Sequence, residues 1–560
     1  MKQEIAREHS PGTVNIRVSR LPFSEIPHQS RLFIEFQSDP TSLKRFYPNV
    51  SASPAGIKSY IPTVLANYHT DRSKLADALI EINSKIGAGT KTFDNIERLR
   101  DPDTVAVVTG QQAGLFTGPL YTVYKALSAV KLAETLNRGG NRAVSVFWTA
   151  TEDHDFEEVS ETFFVGKCGR LARSTYEPEA AILHAAVGTI VIEEGIESSI
   201  DKLFEDLPAT EFSDDIRHLI VRAWSSGELF GDAFAKTLAS ILSRYGIIFI
   251  DPLNAGIKRL SAPIYDAAIK NVDELVANVV QRSSDLVNAG YHAQVLVEDD
   301  YFPLFWHGDN GKRTSLRKSG EGKYRAKASD REFTVNELRE IAMSEPSRLS
   351  PGVMLRPVVQ DHLLPTACYF GGGAEIAYFA QNSEVYRALG RPVTPILHRQ
   401  SFTVVEAKHR RVLEKFDLDL LSLFDGLDAT VLKLAEDHLP PETAKIFADV
   451  EDKINLEMNR IDHAVSKIDI TLAENLAKRR RKINYHIAAI RKKTLLAQAR
   501  KDETASRQLE SLFAAVLPKD ALQERSLNVF SFLNKFGLNF IDWIYEAIDL
   551  DDKDHRIIDL

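Results

Sequence analysis

The sequence predicts an α/β protein with a parallel sheet, doubly wound or close to it, followed by a long coiled-coil arm. Two short apolar runs of strand type, residues 105–108 and 143–148, lie on either side of a helical pattern. Two strands joined by a helix form a βαβ unit, whose strands are parallel. Further strand-like runs at residues 244–252 and 367–370 have helical patterns beside them. After Gln400 the pattern changes to heptads, which predict the arm.

A glycine-rich turn follows the first strand. Residues 109–118 read TGQQAGLFTG, and we expect Pro119 at the first position of the next helix. Backbone N–H groups and the positive end of the helix dipole would then face a phosphate or carboxylate, which predicts a nucleotide-type site. The turn matches neither GxGxxG nor GxxxxGKS/T, so its glycines could instead merely permit a tight turn. Lys125 is expected to lie too far into the helix to reach phosphates. The candidate binding residues here are Thr109, Gly110, Gln111, Gln112, Gly114, Thr117, Gly118, Tyr121 and Trp148.

An acidic segment follows the second strand, at the edge of the sheet where ligands bind in open α/β folds. It supplies the candidate catalytic residues Glu152, Asp153, His154 and Asp155. A histidine flanked by two aspartates should hold its proton more tightly, and it could serve as a general acid or base. With Glu152 it could help to hold Mg²⁺ directly or through water. The alternative is that these acids only cap the next helix.

A second strand, glycine turn and helix occupy residues 350–381. For any one of the polar residues here, a salt bridge or a cap is the alternative to ligand binding. Residues 393–400 supply a final strand, whose Arg399 is either a ligand contact or a surface charge. Residues 290–328 predict a small antiparallel insertion that either closes over a substrate or covers a sheet edge. The candidate binding residues are Arg356, Gln360, Asp361, Gly371, Gly372, Gly373, Glu375 and Arg399.

Composition excludes several classes of protein. The formal net charge of the 560 residues is -9, which argues against a general nucleic-acid-binding protein. Cys168 and Cys368 are the only cysteines, which fits a reducing cytoplasm. The sequence has no signal-like start and no apolar run of roughly 20 residues, the length that a membrane span needs. We therefore expect a cytoplasmic protein with no membrane partner, and nucleic acid is not an expected partner.

The arm is predicted from isoleucines and other apolar residues spaced every seven positions. Phe447, Ile454, Ile461 and Ile468 form one seam, with Met458, Val465 and Leu472 between them. We expect one helix over residues 402–438 before Pro440, and the seam's partner is either this helix or a second subunit. A basic run at residues 478–482 could bind RNA or be a solvated helix face. The predicted domains are a core at residues 1–400 with insertions near 160–240 and 290–350, the arm at 401–515, and a segment at 516–560 that packs back on the core.

Several motifs resemble the BshC family, the cysteine-adding enzymes of bacillithiol biosynthesis. They are TGQQAGLFTGPLYTVYK, FWTATEDHD, RPVVQDHLLPT, GGGAEIAYFAQ, RPVTPILHRQ and SLNVFSFLNKFG, and the resemblance runs from about residue 20 to residue 560. It implies a Rossmann-like core similar to class I aminoacyl-tRNA synthetases and a coiled coil that forms a homodimer. It also implies that cysteine is joined to glucosaminyl-malate, and that residues 109–118 and 152–155 belong to the site.

The implied reaction makes chemical demands on these residues. The cysteine carboxylate must be activated, so ATP or another nucleotide is the expected cosubstrate, with Mg²⁺ beside it. The sugar amine must lose a proton, which we assign to His154 or Asp155. Arg356 or Arg399 would bind the malate carboxylates. The alternatives are a nucleotidyltransferase or metal-dependent hydrolase on the same core, or a non-catalytic RNA-binding scaffold.

Overall fold

The computed structural model describes residues 16–48, 53–179, 184–309, 311–327, 331–437, 439–468, 470–499 and 502–560. The chain divides into two compact units. The first comprises Met1–Lys167, Ala172–Val404 and Gln523–Ile558, and the second comprises Cys168–Leu171, Val405–Leu522 and Asp559–Leu560. Within the described residues, no helix is both long and apolar enough to cross a bilayer.

The strands in chain order are β1 (Arg17–Leu21), β2 (Thr104–Gln112), β3 (Arg142–Ala150), β4 (Glu161–Val165), β5 (Leu171–Thr175), β6 (Ile248–Ile250), β7 (Tyr301–His307), β8 (Arg313–Gly320), β9 (Lys323–Ala326), β10 (Glu332–Thr334), β11 (Leu349–Pro351), β12 (Thr366–Gly371), β13 (Ile396–His398), β14 (Phe402–Val405) and β15 (His555–Asp559). The helices of the first unit up to residue 404 are α1 (Arg31–Ser38), α2 (Pro54–Ala66), α3 (Arg72–Lys85), α4 (Thr90–Leu99), α5 (Tyr121–Arg138), α6 (Phe156–Val159), α7 (Gly195–Asp206), α8 (Ser213–Ala223), α9 (Phe230–Ile241), α10 (Ala255–Lys270), α11 (Val272–Asn288), α12 (Val335–Ser344), α13 (Arg356–Leu363) and α14 (Gly373–Ala388).

The helices of the second unit are α15 (Ala407–Lys415), α16 (Leu427–Asp437), α17 (Pro441–Ser466), α18 (Ile470–Ala499) and α19 (Glu503–Val516). The chain then returns to the first unit through α20 (Gln523–Ser526), α21 (Phe530–Phe536) and α22 (Asn539–Ala547).

The central sheet of the first unit has the strand order β13-β12-β2-β3-β6, and every neighbouring pair is parallel. The predicted α/β fold is therefore confirmed. On one side of β2 lie β3 and then β6, and on the other side lie β12 and then β13. The order thus reverses between β2 and β12, and the crevice outside that point is where doubly wound sheets bind ligands.

The core explains why these strands form. Residues 104–110 of β2 are small or β-branched and are buried on both faces of the sheet, which suits a central parallel strand. Helices α2 and α5 pack against the sheet in one continuous apolar cluster. The cluster includes Ile57, Val64, Val105, Val107, Leu132, Leu136 and Phe370.

Several predicted boundaries were wrong. The strand β2 does not end at Gly110 but continues to Gln112 beside the long strand β3, and α5 begins at Tyr121 rather than at Pro119. Residues 402–438 are not one helix, because β14, α15 and α16 occupy them, and the end of the expected helix at His438 lies outside the described residues. In these places long-range pairing decides the local structure.

The antiparallel insertion is present. Strands β7 to β11 form a five-stranded sheet with the order β10-β9-β8-β7-β11, and all of its pairs are antiparallel. A second insertion between β3 and β6 carries the paired strands β4 and β5 and helices α6 to α9.

The second unit contains the long helices of the arm. Helix α18 packs against both α16 and α17, and Leu495 of α18 is buried with Ala435 and Leu439. Met458 of the predicted seam is also buried, whereas Ile461 is 45% exposed. The side chain of the seam residue Leu472 lies outside the described residues.

Candidate functional site

The turn after β2 does not form the expected phosphate cradle. Its residues from Ala113 to Gly118 are buried, and three of their amides donate to carbonyl oxygens of the protein. Leu115 N–H donates to the Val159 carbonyl oxygen at 2.8 Å, and the amides of Thr117 and Gly118 donate to the Leu115 carbonyl oxygen. The Thr117 hydroxyl also stays within the turn. Burial of the turn therefore keeps a phosphate from its backbone donors.

The start of helix α5 is closed in a similar way. Pro119 forms an isolated bridge with Asn528, whose side chain donates to the Gly118 carbonyl oxygen at 2.9 Å. The amides of Thr122 and Val123 donate to the two carbonyls just before the helix. Gly114 is needed for packing, because an added Cβ would lie 2.9 Å from the Gly118 Cα. The alternative interpretation, a tight turn, describes this segment better.

Thr109, Gly110, Gln111 and Gln112 instead belong to β2, and the last two lie partly open at its carboxyl end. Thr109 donates to the Phe370 carbonyl oxygen of β12 at 2.9 Å, which ties the two strands together at the switch point. Gly110 lies directly beside Trp148 of β3, where a Cβ would come within 2.8 Å of the Trp148 carbonyl oxygen. Only glycine lets these strands approach so closely.

Lys125 lies at the switch point, which the sequence analysis missed. Its Nζ donates to the Gly110 carbonyl oxygen and to Gln111 Oε1, both at 3.0 Å, and it pairs with Glu375 of α14. The long lysine side chain reaches back along the helix to the end of β2. Burial lowers the pKa of Lys125, and the carboxylate of Glu375 opposes that effect. Tyr121, the first residue of α5, lies 3.4 Å from Gln111 through its hydroxyl.

Glu375 is fully engaged by its neighbours. Its carboxylate accepts from Lys125, from the Tyr369 hydroxyl at 2.6 Å and from the Gly372 amide at 2.7 Å. Burial alone would raise the pKa of Glu375, but these partners lower it below its ordinary value. Glu375 thus forms a salt bridge and a helix cap, which are the alternatives to ligand binding that the sequence left open for it.

The second glycine turn is more open than the first. Gly371 ends β12, Gly372 precedes α14, and Gly373 begins it. Among the described residues, no partner accepts from the amides of Gly373 and Ala374, and Ala374 is exposed. These amides point out of the positive end of a 16-residue helix.

Arg356 is the cation that faces this region. Its Cζ lies 5.1 Å from the ring centre of Tyr369 and 5.8 Å from that of Trp148. Its guanidinium donates to Gln360 Oε1 at 2.9 Å and to the Tyr378 hydroxyl at 3.5 Å. Among the described residues, no carboxylate lies within ion-pair distance of Arg356. A half-buried cation with neutral partners can still take an anionic ligand.

Asp361 does not belong to this group. It follows Gln360 on α13, near the amino end of β12, and accepts hydrogen bonds from Gln360 at 2.9 Å, Tyr386 and Thr394. Its surroundings are buried, and burial raises the pKa of Asp361. The structure therefore corrects its assignment as a ligand residue, because the helix carries it away from the carboxyl edge.

Arg399 is buried and neutralised. Its Nη2 lies 2.7 Å from Glu524 Oε1, and Glu524 also accepts from Ser401 at 2.7 Å. Of the two alternatives for Arg399, a ligand contact or a surface charge, the surface charge is wrong, since only 4% of the side chain is exposed. Of the two arginines proposed for substrate carboxylates, Arg356 alone keeps an unpaired charge.

The acids after β3 each have a separate partner. Glu152 is buried against Lys258 of α10. Asp153 accepts from Gln112 Nε2 at 2.6 Å and from the His154 amide at 2.7 Å, while Asp155 caps α6 by accepting from the Glu158 amide. Among the described residues, no group of three histidines, cysteines or acids is arranged to hold a metal ion. Because its charge is paired with the Lys258 ammonium, the Glu152 carboxylate is poorly suited to Mg²⁺.

His154 lies against the insertion sheet. Its Nδ1 is 3.0 Å from Arg313 Nη1 of β8 and 3.7 Å from Asp153 Oδ1. Burial and the Arg313 charge lower the pKa of His154 and outweigh Asp153 and Asp155. The prediction that His154 holds its proton more tightly was wrong, because Arg313, far away in sequence, was not considered.

Arg313 and Lys258 were missed for a clear reason. Neither lies in a motif, and each reaches the acidic segment from an element more than 100 residues further along the chain. Only the predicted insertion gave a signal, since it could close over a substrate. It brings β8 to the end of β3, and Arg313 is the residue that makes contact.

These features define a Rossmann-like α/β protein whose switch point is lined by cations and aromatic rings. The model for "Bacillithiol biosynthesis BshC, N-terminal Rossmann-like domain" matches residues 16–400, and that for "Bacillithiol biosynthesis BshC, C-terminal coiled-coil domain" matches residues 402–560. The chain belongs to the BshC family.

Full-length relatives are similar along almost the whole chain. A protein of Salinibacter ruber named "Putative cysteine ligase BshC" is 34% identical over 98% of this chain and 100% of its own length. A protein of the same name from Koribacter versatilis is 34% identical over 96% of this chain and 99% of its own. A solved structure titled "putative arginyl t-RNA synthetase" from Campylobacter jejuni covers 84% of this chain and 97% of its own at 9% identity. Its TM-score of 0.23 is too low to carry an argument.

Proposed function

We propose that this protein joins the carboxyl group of cysteine to the amine of glucosaminyl-malate in bacillithiol synthesis. The names of the relatives support the reaction class, and the family description supports the pathway. Arg356 is the observation that carries the proposal, since both substrates have carboxylates. It is a cation without a carboxylate partner among the described residues, at the switch point of the sheet.

Arg356 binds the malate carboxylates in this proposal. Its planar guanidinium is held between aromatic rings and by Gln360, so it loses little freedom when it binds a carboxylate with two hydrogen bonds. The open amides of Gly373 and Ala374 add donors near the same edge. Trp148 and Tyr369 are buried, and their rings pack beside the guanidinium and hold it in place.

Forming an amide from a carboxylate requires an energy source, and we propose a nucleoside triphosphate with Mg²⁺. The glycine turn after β2 does not fit its phosphates, because the turn is buried and three of its amides are bonded within the protein. The sugar amine must lose its proton before it attacks, and His154, Asp153 and Asp155 are the candidate groups at the end of β3.

We also propose a homodimer formed through the arm, and a cytoplasmic location. Val450 and Ile461 on α17 and Ile483 and Ile490 on α18 are exposed apolar residues, which supports an association of two copies. Cys168 and Cys368 are both free thiols, which fits a reducing compartment.

The test is mass spectrometry of purified protein incubated with cysteine, glucosaminyl-malate and each nucleoside triphosphate in turn. We expect bacillithiol together with a nucleotide product. Arg356→Gln should raise the KM for glucosaminyl-malate by about 10- to 100-fold, the worth of a charged hydrogen bond. The KM of Arg356→Lys should lie between those of the parent protein and of Arg356→Gln.

Arg217→Gln is the control variant, since Arg217 is an exposed arginine whose partner is Asp201 of the neighbouring helix. Its KM for glucosaminyl-malate should match that of the parent protein. If no nucleotide supports product formation, the proposed function is wrong. If nucleotide is consumed without cysteine, the protein is a nucleotidyltransferase or hydrolase instead.

A further inference from the structure

The hydrogen-bond partner of His154 fixes where its proton lies. Nδ1 is 3.0 Å from Arg313 Nη1, within hydrogen-bond distance, but 3.7 Å from Asp153 Oδ1. A guanidinium can only donate, so Nδ1 must accept with its lone pair. A neutral imidazole that accepts at Nδ1 carries its proton on Nε2.

Arg313 is held so firmly that it imposes this choice. Its Nε donates to Ser350 Oγ at 2.9 Å and its Nη2 to the Pro351 carbonyl oxygen at 3.0 Å. Its Cζ lies 3.8 Å from the ring centre of Phe305, and the residue is 8% exposed. The remaining guanidinium nitrogen, Nη1, is the donor that faces His154 Nδ1.

Asp153 cannot easily replace Arg313 as the partner of Nδ1. Its Oδ1 accepts from the His154 amide at 2.7 Å, and its Oδ2 accepts from Gln112 at 2.6 Å. The carboxylate is thus turned toward β2 and the backbone. Asp153 contributes negative charge to the neighbourhood but no hydrogen bond to the ring.

The other face of the imidazole is open. The His154 side chain is 30% exposed, and no partner lies within hydrogen-bond distance of Nε2 among the described residues. The charged and titratable groups around it are Arg313, Asp153, Asp155, His184 and His307, and Phe305 lies against the ring. Burial and Arg313 lower the pKa of His154, which keeps the ring neutral.

We propose that His154 is a neutral hydrogen-bond donor, whose Nε2–H binds a carboxyl oxygen of the substrate, and that Arg313 is the positioning residue that fixes this tautomer. The proposal rests on the proposed function for the identity of the substrate. His154 keeps its proton throughout, so it is not the base that deprotonates the sugar amine. That role passes to a carboxylate.

Variants that keep or remove the Nε2 donor test the role in the ligation assay. The amide nitrogen of His154→Gln can occupy the place of Nε2 and donate, so we expect kcat within about tenfold of the parent protein. His154→Asn and His154→Ala leave no donor there and should lose about 10²- to 10³-fold. His184→Gln is the control, because His184 is an exposed neighbouring histidine. Equal losses in His154→Gln and His154→Ala would show a base and overturn the proposal.

Nitrogen NMR of histidine-labelled free protein tests the tautomer without any turnover. We expect the His154 signals, assigned by their absence from His154→Gln, to show an unprotonated Nδ1 and a protonated Nε2 at neutral pH. Arg313→Lys, which still donates, should keep this state, and Arg313→Met should give a mixture. A protonated Nδ1 in the parent protein overturns the proposal. Absence of ligation product with the expected tautomer would overturn the proposed function alone.

Discussion

Lys125 shows how much one side chain can connect at the residue scale. It lies on α5 but binds the end of β2 and the first turn of α14, so a single ammonium joins both sides of the switch point. A buried ion pair of this kind gains little over an apolar pair, but removing one partner leaves an unpaired buried charge. Replacing only one residue of the pair should therefore destabilise the protein more than replacing both.

We expect Lys125→Met to lower the free energy of unfolding of the first unit by about 3 to 5 kcal/mol, because the buried Glu375 carboxylate loses its counter-ion. Glu375→Gln should also lower the free energy of unfolding, because the buried Lys125 ammonium loses its counter-ion. The double variant should lose clearly less than the sum of the two. Urea unfolding of the four proteins measures this coupling.

The exposed pair Lys202 and Asp206 on α7 is the matched control. Its atoms are 2.7 Å apart, but Lys202 is 54% exposed, so the same double-variant cycle should give no measurable coupling. Strictly additive losses at Lys125 and Glu375 would contradict the bridging role.

Residue-level predictions succeeded where a side chain acts near its own motif. Gly110 and Trp148 lie near the carboxyl ends of β2 and β3, because each is placed by its own strand. Residue-level predictions failed for His154, whose pKa depends on Arg313 in another element. A sequence motif contains the flanking aspartates but not the packing partner.

At the scale of elements, the arm has apolar residues that its own helices leave uncovered. Val450 and Ile461 are 40% and 45% exposed on α17, three turns apart and on one face. Ile483 and Ile490 on α18 are 37% and 59% exposed, with the seven-residue spacing of a coiled coil. Exposed isoleucines in heptad spacing are typical of a helix that meets another helix.

We expect the parent protein to have about twice its chain mass in light scattering. The double variant Ile461→Asp and Ile490→Asp should have the mass of one chain, 62.7 kDa, because charges on that face oppose association. Leu296→Asp is the control, an apolar position in the first unit that is still more exposed, at 80%. A parent protein of single-chain mass at all concentrations would refute the dimer.

The element boundaries show the limit of local patterns. The glycine turn after β2 has the composition of a phosphate loop, yet its neighbours Val159 and Leu527 take up the donors of Leu115 and Leu120. These partners come from distant parts of the chain. The sequence correctly predicts a turn here, but whether its amides are free depends on what packs over them.

At the scale of the whole molecule, the parallel sheet and the change of pattern near Gln400 were predictable from periodicity alone. The strand order was not, because it depends on which strands pair across several hundred residues. That order puts β12 beside β2 and makes the Lys125 and Glu375 contact possible. The sequence predicts candidate loops after β2 and β3 and a further one at residues 350–381, and the structure places the end of β12 beside that of β2.

Acid should destabilise the first unit as a whole, because it contains several buried neutral histidines. Burial lowers the pKa of His307 to about 3, of His362 to about 4 and of His555 to about 4, and that of His398 well below its ordinary value. The unfolded chain binds protons at these residues near pH 6.5, while the folded protein does not until about pH 4. Stability is therefore fully present above pH 6.5 and is lost as the pH falls through that window.

His555 allows this effect to be isolated. Its ring is fully buried between Ser401 and Thr403, so protonation costs about 3 kcal/mol of stability by pH 4. We expect His555→Gln to be less stable than the parent protein at pH 7 but to lose less between pH 6.5 and pH 4.5, measured by urea unfolding. The exposed His218→Gln should keep the parental pH slope. Identical slopes for His555→Gln and the parent protein would show that His555 is not held neutral, since glutamine cannot titrate.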